Sequence, residues 1–189
     1  MDPKFAPKPR FVQSSTELQK AADQAKLRLC VHCRQLGMVN AHGFLRGYSV
    51  DGKPDVVRGK RFYCSRRGSK TGCGRTMSVL LSAFIATFSV TTIVLSLFVS
   101  LALQGLSVRA AWLAIAGNQF SERSGYRLWS RILVSIPHLR TQLLHAGPPP
   151  QSEGVHPLSQ LLLHIAEHVP ICDDSLGAFQ YRFQSGLFG

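Results

Sequence analysis

Four of the five cysteines of this 189-residue chain fall within one 44-residue window, and this cluster constrains the fold more than any other feature. Cys30 and Cys33 form a C-x-x-C pair, whereas eight residues separate Cys64 from Cys73. The N-terminal sequence MDPKFAPKPRFVQSSTELQK lacks the apolar core of a secretory signal, so metal binding is favoured over disulfides. We predict that all four cysteines bind Zn2+, which prefers a tetrahedron of sulfur or nitrogen ligands.

The segment between the two cysteine pairs has the pattern of a β-hairpin. GFLRGYSV and VVRGKRFYC are β-forming runs, and the DGKPD between them is a Gly/Pro/Asp turn. Such a hairpin would return Cys64 and Cys73 to the first pair. Ordinary buried thiols are the alternative. However, a module with so few large apolar residues needs a stabilising cross-link, and zinc binding supplies folding free energy directly. His32 and His42 are the candidates to replace a thiolate.

Most of the positive charge lies in the same part of the chain. Residues 1–76 contain 16 Lys and Arg against 5 Asp and Glu, whereas residues 77–189 contain 6 against 5. Clustered cations favour a polyanion, either nucleic acid or an acidic membrane surface, because binding to phosphates releases counterions. We therefore predict phosphate contacts from five basic residues of the cysteine module, which are Lys60, Arg61, Arg66, Arg67 and Lys70.

The cysteine module resembles a known type of zinc ribbon. CVHC, HGFLRGY and RGKRFYCSRRGSKTGCGRTMSVL together resemble the ribbon at the N-terminal end of bacterial insertion-sequence transposases and related small proteins. The resemblance covers about residues 28–80 and implies that Cys30, Cys33 and Cys73 are ligands. Lys70 stands where that family has the first cysteine of a second C-x-x-C, which leaves Cys64, at the far end of an inserted loop, as the fourth ligand.

Two helical segments behind the ribbon have the spacing of a helix-turn-helix, an arrangement that insertion-sequence proteins often place there. Ser107 is predicted to cap the first helix and Ser121 the second, after a four-residue connection, and Pro137 is predicted to end the second helix. Three arginines fall at i, i+4 and i+8 opposite an apolar face. They would approach the groove of double-stranded DNA, although a solvated basic face is the alternative. These residues are Arg123, Arg127 and Arg131.

An uncharged run of 33 residues, Thr76 to Val108, is long enough to span a bilayer. Its many Ser and Thr residues instead favour a largely buried helix, and a membrane helix within 78–104 stays as the alternative. The polar side chains that are four residues apart would form one narrow, solvent-facing polar stripe on that helix. They are Thr92, Ser96, Ser100 and Gln104.

The sequence after the predicted helix-turn-helix leaves no room for a transposase catalytic domain. Such domains use three carboxylates on a ribonuclease-H-like fold to hold two divalent metals, and the last part of the chain has few acidic residues and no strand pattern. We therefore expect no enzymatic activity. His164, His168 and Cys172 are four residues apart and could bind a second metal, but plain polar helix positions are the favoured interpretation.

Together these features predict an α+β chain, in which a small β zinc ribbon precedes an all-helical helix-turn-helix domain. The predicted function is zinc-dependent, non-catalytic DNA recognition in the cytoplasm, related to mobile-element proteins. The alternatives are a membrane-tethered zinc-ribbon protein and an interaction subunit of a larger nucleic-acid complex, and a homo-oligomer is possible. The predicted divisions are a basic arm and short helix (1–27), the ribbon (28–76), the helical domain (77–146), a Pro-rich linker (147–157), and a short helix with a tail (158–189).

Overall fold

The computed structural model describes residues 10–48, 55–68, 71–86, 88–116, 120–151, 156–169 and 173–188. These residues form an α+β arrangement, as predicted, with a four-stranded sheet and six α-helices. The strands are β1 (Arg10–Val12), β2 (Val39–Gly47), β3 (Val56–Cys64) and β4 (Thr76–Leu81). The helices are α1 (Ser15–Asp23), α2 (Thr92–Leu103), α3 (Val108–Ala116), α4 (Glu122–Leu144), α5 (Pro157–His168) and α6 (Ser175–Phe183).

The sheet has the strand order β1-β4-β3-β2 and contains the predicted hairpin. β2 pairs antiparallel with β3 and β3 with β4, whereas β1 pairs parallel with β4. The turn predicted at DGKPD falls largely outside the described residues. The hydroxyl of Ser14 caps α1 by accepting the Glu17 N–H at 3.2 Å. Leu18 and Ala21 of α1 then pack in one core with Phe62 of β3.

The helical domain predicted from residue 77 onward is wrong at its start, because β4 continues to Leu81. This segment pairs with β3, and the alternating register buries Val79 in the core. The uncharged run is therefore divided into a strand, a turn and α2, which is 12 residues long. No helix in the described part of the chain is long and apolar enough to cross a membrane. Thr92 was predicted to lie on the solvent-facing polar stripe, but it is fully buried, and its hydroxyl lies 2.6 Å from the Asp174 carboxylate.

Helices α2 to α6 share a second hydrophobic core. The predicted cap of α3 is confirmed, since the Ala110 N–H bonds the Ser107 hydroxyl at 3.2 Å. Pro137 does not end α4, which continues to Leu144. A proline inside a helix costs about 3 kcal/mol, whereas burying Leu139 and Leu143, both at most 1% exposed, contributes about 1.5 to 3 kcal/mol each. The continued packing of this face thus offsets the lost hydrogen bond.

The C-terminal tail forms α6, a helix that the sequence did not predict, and it joins the helical core to the sheet. The buried Gln180 side chain donates to the carbonyl oxygens of Ser82 and Phe84, at 2.6 and 3.0 Å. The Gln184 side chain pairs with both the backbone N–H and the carbonyl of Phe11 in β1, the edge strand of the sheet. The two ends of the described chain are therefore packed against each other.

Candidate metal centre and nucleic-acid surfaces

The four cysteines of the cluster lie together beside the end of β3 and the start of β4. All four Sγ atoms are within 4.8 Å of one another, with 3.7 Å between Cys30 and Cys73 and 3.6 Å between Cys33 and Cys64. A tetrahedral zinc site with bonds of about 2.3 Å separates its sulfurs by about 3.8 Å. The thiols are free. All four predicted ligands are thus in position to bind one metal ion.

A tight turn at C-x-x-C presents the first two sulfurs. The Arg34 N–H bonds the Cys30 carbonyl at 2.8 Å, and the Cys30 N–H bonds the Gln35 carbonyl at 3.0 Å. Arg34 has a positive φ of 60°, a backbone conformation that closes the turn. The Gln35 backbone also donates to Cys33 and lowers the pKa of that thiol to about 7. Backbone donors in the turn therefore stabilise negative charge on sulfur.

The second pair of sulfurs comes from the base of an excursion in the β3–β4 hairpin. Cys64 is the last residue of β3, and its N–H bonds the Arg75 carbonyl while its own carbonyl accepts the Gly74 N–H, both at 2.9 Å. The chain leaves this ladder after Cys64 and returns at Gly72, so Cys64 lies beside Cys73 despite the eight intervening residues. The Cys73 N–H points to the Cys64 sulfur at 3.3 Å.

Gly72 closes the base of this excursion at a point where no side chain fits. A Cβ on Gly72 would lie 2.1 Å from the Ser65 carbonyl oxygen and 2.6 Å from the Cys64 sulfur. The Gly72 N–H already bonds that same carbonyl at 3.0 Å. Only glycine, which has no Cβ, lets the backbone approach the sulfur cluster so closely at this position.

The electrostatics of the cluster suit a cation. Burial raises the pKa of Cys64 to about 12 and also raises the pKa of Cys73. Four sulfurs this close cannot all carry negative charge unless a positive charge lies among them, and a bound metal ion deprotonates the thiols that coordinate it. His32 and His42 are not in the cluster: the His32 ring lies near the Thr76 carbonyl and the His42 ring contacts Tyr63.

The predicted phosphate-binding residues of the ribbon do not form one patch. Consecutive strand residues point to opposite faces, so Lys60 and Arg61 of β3 are separated: the Lys60 ammonium lies 4.1 Å from the Phe44 ring centroid, whereas Arg61 is exposed on the face that carries Tyr63. Arg66 and Arg67 are both exposed in the excursion beside the sulfur cluster. Lys70 lies outside the described residues.

The arginines predicted on the second helix of the helix-turn-helix also separate. Arg127 and Arg131 line a groove of about 1110 Å3 between α4 and the ribbon, with Tyr48 after β2 and the segment 88–90 forming the opposite wall. We call this the interlobe groove. Arg123 is exposed in the first turn of α4 and is not among the described residues that line the groove. The connection at residues 117–119 lies outside the described residues.

Arg58 of β3 was not singled out from the sequence, yet it fixes one wall of the interlobe groove. Its guanidinium lies 4.9 Å from the Phe84 ring centroid and donates through Nη2 to the carbonyls of Ile85, Phe88 and Val90. Burial lowers its pKa. The sequence did contain a signal for this role. Arg58 and Phe62 are four residues apart in β3, so the Arg58 side chain lies on the same face of the strand as the buried Phe62.

The two histidines of α5 do not assemble into a second metal site with other described ligands. The His164 and His168 rings lie 5.0 Å apart, and the His164 Nε2 lies 3.2 Å from the Gly147 carbonyl. Cys172 is outside the described residues. Within the described ranges, the cysteine cluster is the only group of three or more such side chains close enough to hold an ion.

Comparison of the chain with protein-family models, with curated proteins and with solved structures finds no match. The resemblance of residues 28–80 to the ribbon of insertion-sequence transposases therefore stays a prediction from the quoted motifs.

Proposed function

We propose that this chain is a zinc-dependent, non-catalytic DNA-binding protein. Its metal would be structural: Cys30, Cys33, Cys64 and Cys73 would complete a tetrahedron with four protein ligands and leave no open position for substrate. Bound there, zinc would supply folding free energy to a ribbon whose own core is small. The sulfur distances of 3.6 and 3.7 Å and the close approach at Gly72 support this part of the proposal.

The observation that carries the nucleic-acid part is a set of exposed, unpaired guanidiniums on the metal-bearing module. Arg61, Arg66 and Arg67 make no ion pair with any described residue. Two other exposed arginines do pair with carboxylates: Arg46 of β2 binds Asp55, and Arg109 of α3 binds Glu122, both at 2.7 Å. Unpaired, exposed guanidiniums are suited to phosphate, which their planar fork can bind through two hydrogen bonds.

In this proposal α3 and α4 act as the helix-turn-helix behind a zinc ribbon, in keeping with the resemblance to mobile-element proteins. Arg123, exposed in the first turn of α4, would contact double-stranded DNA there. Of the three arginines of α4 that the sequence predicts at the DNA groove, only Arg123 keeps that role in this proposal, because Arg127 and Arg131 line the interlobe groove.

Metal content and salt-dependent DNA affinity test the proposal together. Purified wild-type protein should carry one zinc per chain, which Cys64→Ser and Cys73→Ser should lose. Cys172→Ser, which changes the fifth cysteine, is the matched control and should keep it. Affinity for a blunt duplex, measured by fluorescence anisotropy, should fall with salt, and replacing Arg66 and Arg67 by alanine should reduce the slope by about 1.8, at about 0.9 per phosphate contact. A zinc-free wild-type protein would refute the metal part. Salt-independent affinity would refute the DNA part.

A second candidate function, docking on a larger complex, is favoured by one observation. Four large apolar residues close to the first two cysteines are exposed, which is unusual for so short a stretch of chain. A monomer in size-exclusion chromatography with light scattering that binds DNA unaided would make this candidate unnecessary. The residues are Leu27, Leu29, Val31 and Leu36, which are 76%, 57%, 48% and 60% exposed.

A further inference from the structure

The interlobe groove has a lining that combines positive charge, hydroxyls and aromatic rings. Arg127 and Arg131 come from adjacent turns of α4, and Ser124 and Ser130 add hydroxyl groups on the same side. Tyr48 and Phe88 lie on the opposite wall. None of the described lining residues is acidic. The groove therefore offers donors for an anion and flat apolar surfaces for a ring.

The charge in the groove is uncompensated. Arg127 and Arg131 are four residues apart, which places their guanidiniums side by side on the helix, and neither makes an ion pair with a described residue. Like charges at this spacing repel each other. A bound phosphate would remove that repulsion and accept hydrogen bonds from both side chains.

The aromatic wall decides which phosphate-bearing ligand suits the groove. Tyr48 is 49% exposed, so its ring is accessible to a ligand. Phe88 is held in place, because Arg58 bonds its carbonyl and the ring packs edge-to-face on Phe188, 5.1 Å between centroids. In duplex DNA the base faces are covered by their neighbours in the stack, whereas an unpaired strand presents them to aromatic side chains.

We propose that the interlobe groove binds an unpaired strand of nucleic acid, with phosphates at Arg127 and Arg131 and a base against Tyr48. This rests on the proposed function and deepens it: the ribbon arginines hold the duplex, and the groove takes an unpaired extension of it. A volume of about 1110 Å3 exceeds what one small ligand needs and suits a strand that passes through an open groove.

Three probes separate this inference from general DNA binding: a blunt duplex, the same duplex with a short unpaired extension, and the extension alone as an oligonucleotide. Anisotropy titrations give the ratio of blunt to extended dissociation constants for each variant. Wild-type protein should bind the extended duplex roughly five-fold to one hundred-fold more tightly, as expected for one stacked base. Arg127→Ala and Arg131→Ala should each reduce that ratio.

Matched variants keep the test specific to the groove. Arg123→Ala, on the same helix but outside the groove lining, should weaken both duplexes alike and leave the ratio unchanged. Tyr48→Ala should reduce the ratio, whereas Tyr48→Phe, which keeps the ring, should restore it. One zinc per chain and an unchanged unfolding temperature show that each variant is folded.

The outcomes distinguish the two proposals. Tight blunt-duplex binding without any gain from the extension overturns the groove and leaves the proposed function standing. A gain that persists in both Arg127→Ala and Arg131→Ala also overturns it. Failure of every probe to bind refutes the groove proposal and the DNA part of the proposed function. A free mononucleotide that competes as well as the oligonucleotide would show that the groove is a nucleotide pocket and would overturn the strand assignment.

Discussion

Replacing Gly72 by alanine tests how tightly the sulfur cluster is built. The new Cβ would lie 2.1 Å from the Ser65 carbonyl oxygen and 2.6 Å from the Cys64 sulfur, and ordinary contact begins at 3.4 Å. The two atoms would therefore have to move by 1.3 and 0.8 Å. The first is backbone and cannot rotate away, because the Ser65 N–H is bonded to the Met38 carbonyl at 2.8 Å and holds this segment against β2.

The required displacement is large for a metal ligand. Zinc–sulfur distances in well-formed sites vary by about 0.2 Å, so moving the Cys64 sulfur by 0.8 Å exceeds that tolerance about four-fold. Mutations that disturb the groups orienting a ligand typically cost about 10- to 100-fold in metal affinity. We expect Gly72→Ala to lose zinc affinity by at least this factor and to unfold at a lower temperature.

Gly43→Ala is the matched control for this substitution. Gly43 lies in β2 of the same ribbon, has no heavy atom within 4 Å of its would-be Cβ, and does not have a positive φ. Zinc affinity is measured by competition with a chromophoric chelator, and stability by thermal unfolding with and without the metal. Wild-type zinc affinity in Gly72→Ala would refute the packing argument. Equal losses in both variants would show that the ribbon tolerates no added methyl group, and the argument from Gly72 would fail as well.

Two further predictions concern the helical half. Pro137→Ala should raise the free energy of unfolding, by at most about 3 kcal/mol, because it restores a helix hydrogen bond in α4; denaturant titration measures this, and an unchanged midpoint would contradict it. Gln180→Ala should lower the same quantity by about 2 to 5 kcal/mol, since it leaves two buried carbonyls unsatisfied and a cavity behind. Gln184→Ala, whose side chain is exposed, is the control and should cost about 1 kcal/mol; equal losses in the two variants would argue against the buried site.

Features that depend on near neighbours in the sequence were predictable. The cap at Ser14 needs only Glu17 three residues later, and the β2–β3 hairpin follows from two β-forming runs around a turn. The cysteine cluster was predictable for a related reason: once the hairpin is accepted, its returning strand must bring Cys64 back to Cys30. In each case the local chemistry and the final fold favour the same conformation.

Features that depend on distant partners were not predictable. The segment Thr76–Leu81 belongs to an uncharged run that matches a helix as well as a strand, and only its pairing with β3 decides the outcome. Pro137 is tolerated because the residues beyond it bury the same face of α4. The tail gave no helical signal of its own, and α6 is fixed by Gln180 reaching carbonyls about a hundred residues earlier.

The charge divides the sequence into a basic half and a nearly neutral half. The turn that contains residues 82–86 and 88–90 joins the two halves in the structure. Arg58 binds this turn from the sheet, through three of its carbonyls, and Gln180 of α6 binds it at two others. All three bonds come from one nitrogen, Nη2, and the guanidinium carbon lies 4.9 Å from the centroid of the Phe84 ring. Phe88 of this turn is also a wall of the interlobe groove. Arg58 of β3 therefore helps to shape the groove, and the last residue of β3, Cys64, belongs to the sulfur cluster. A metal bound at the ribbon would thus also stabilise the surface proposed to bind unpaired nucleic acid.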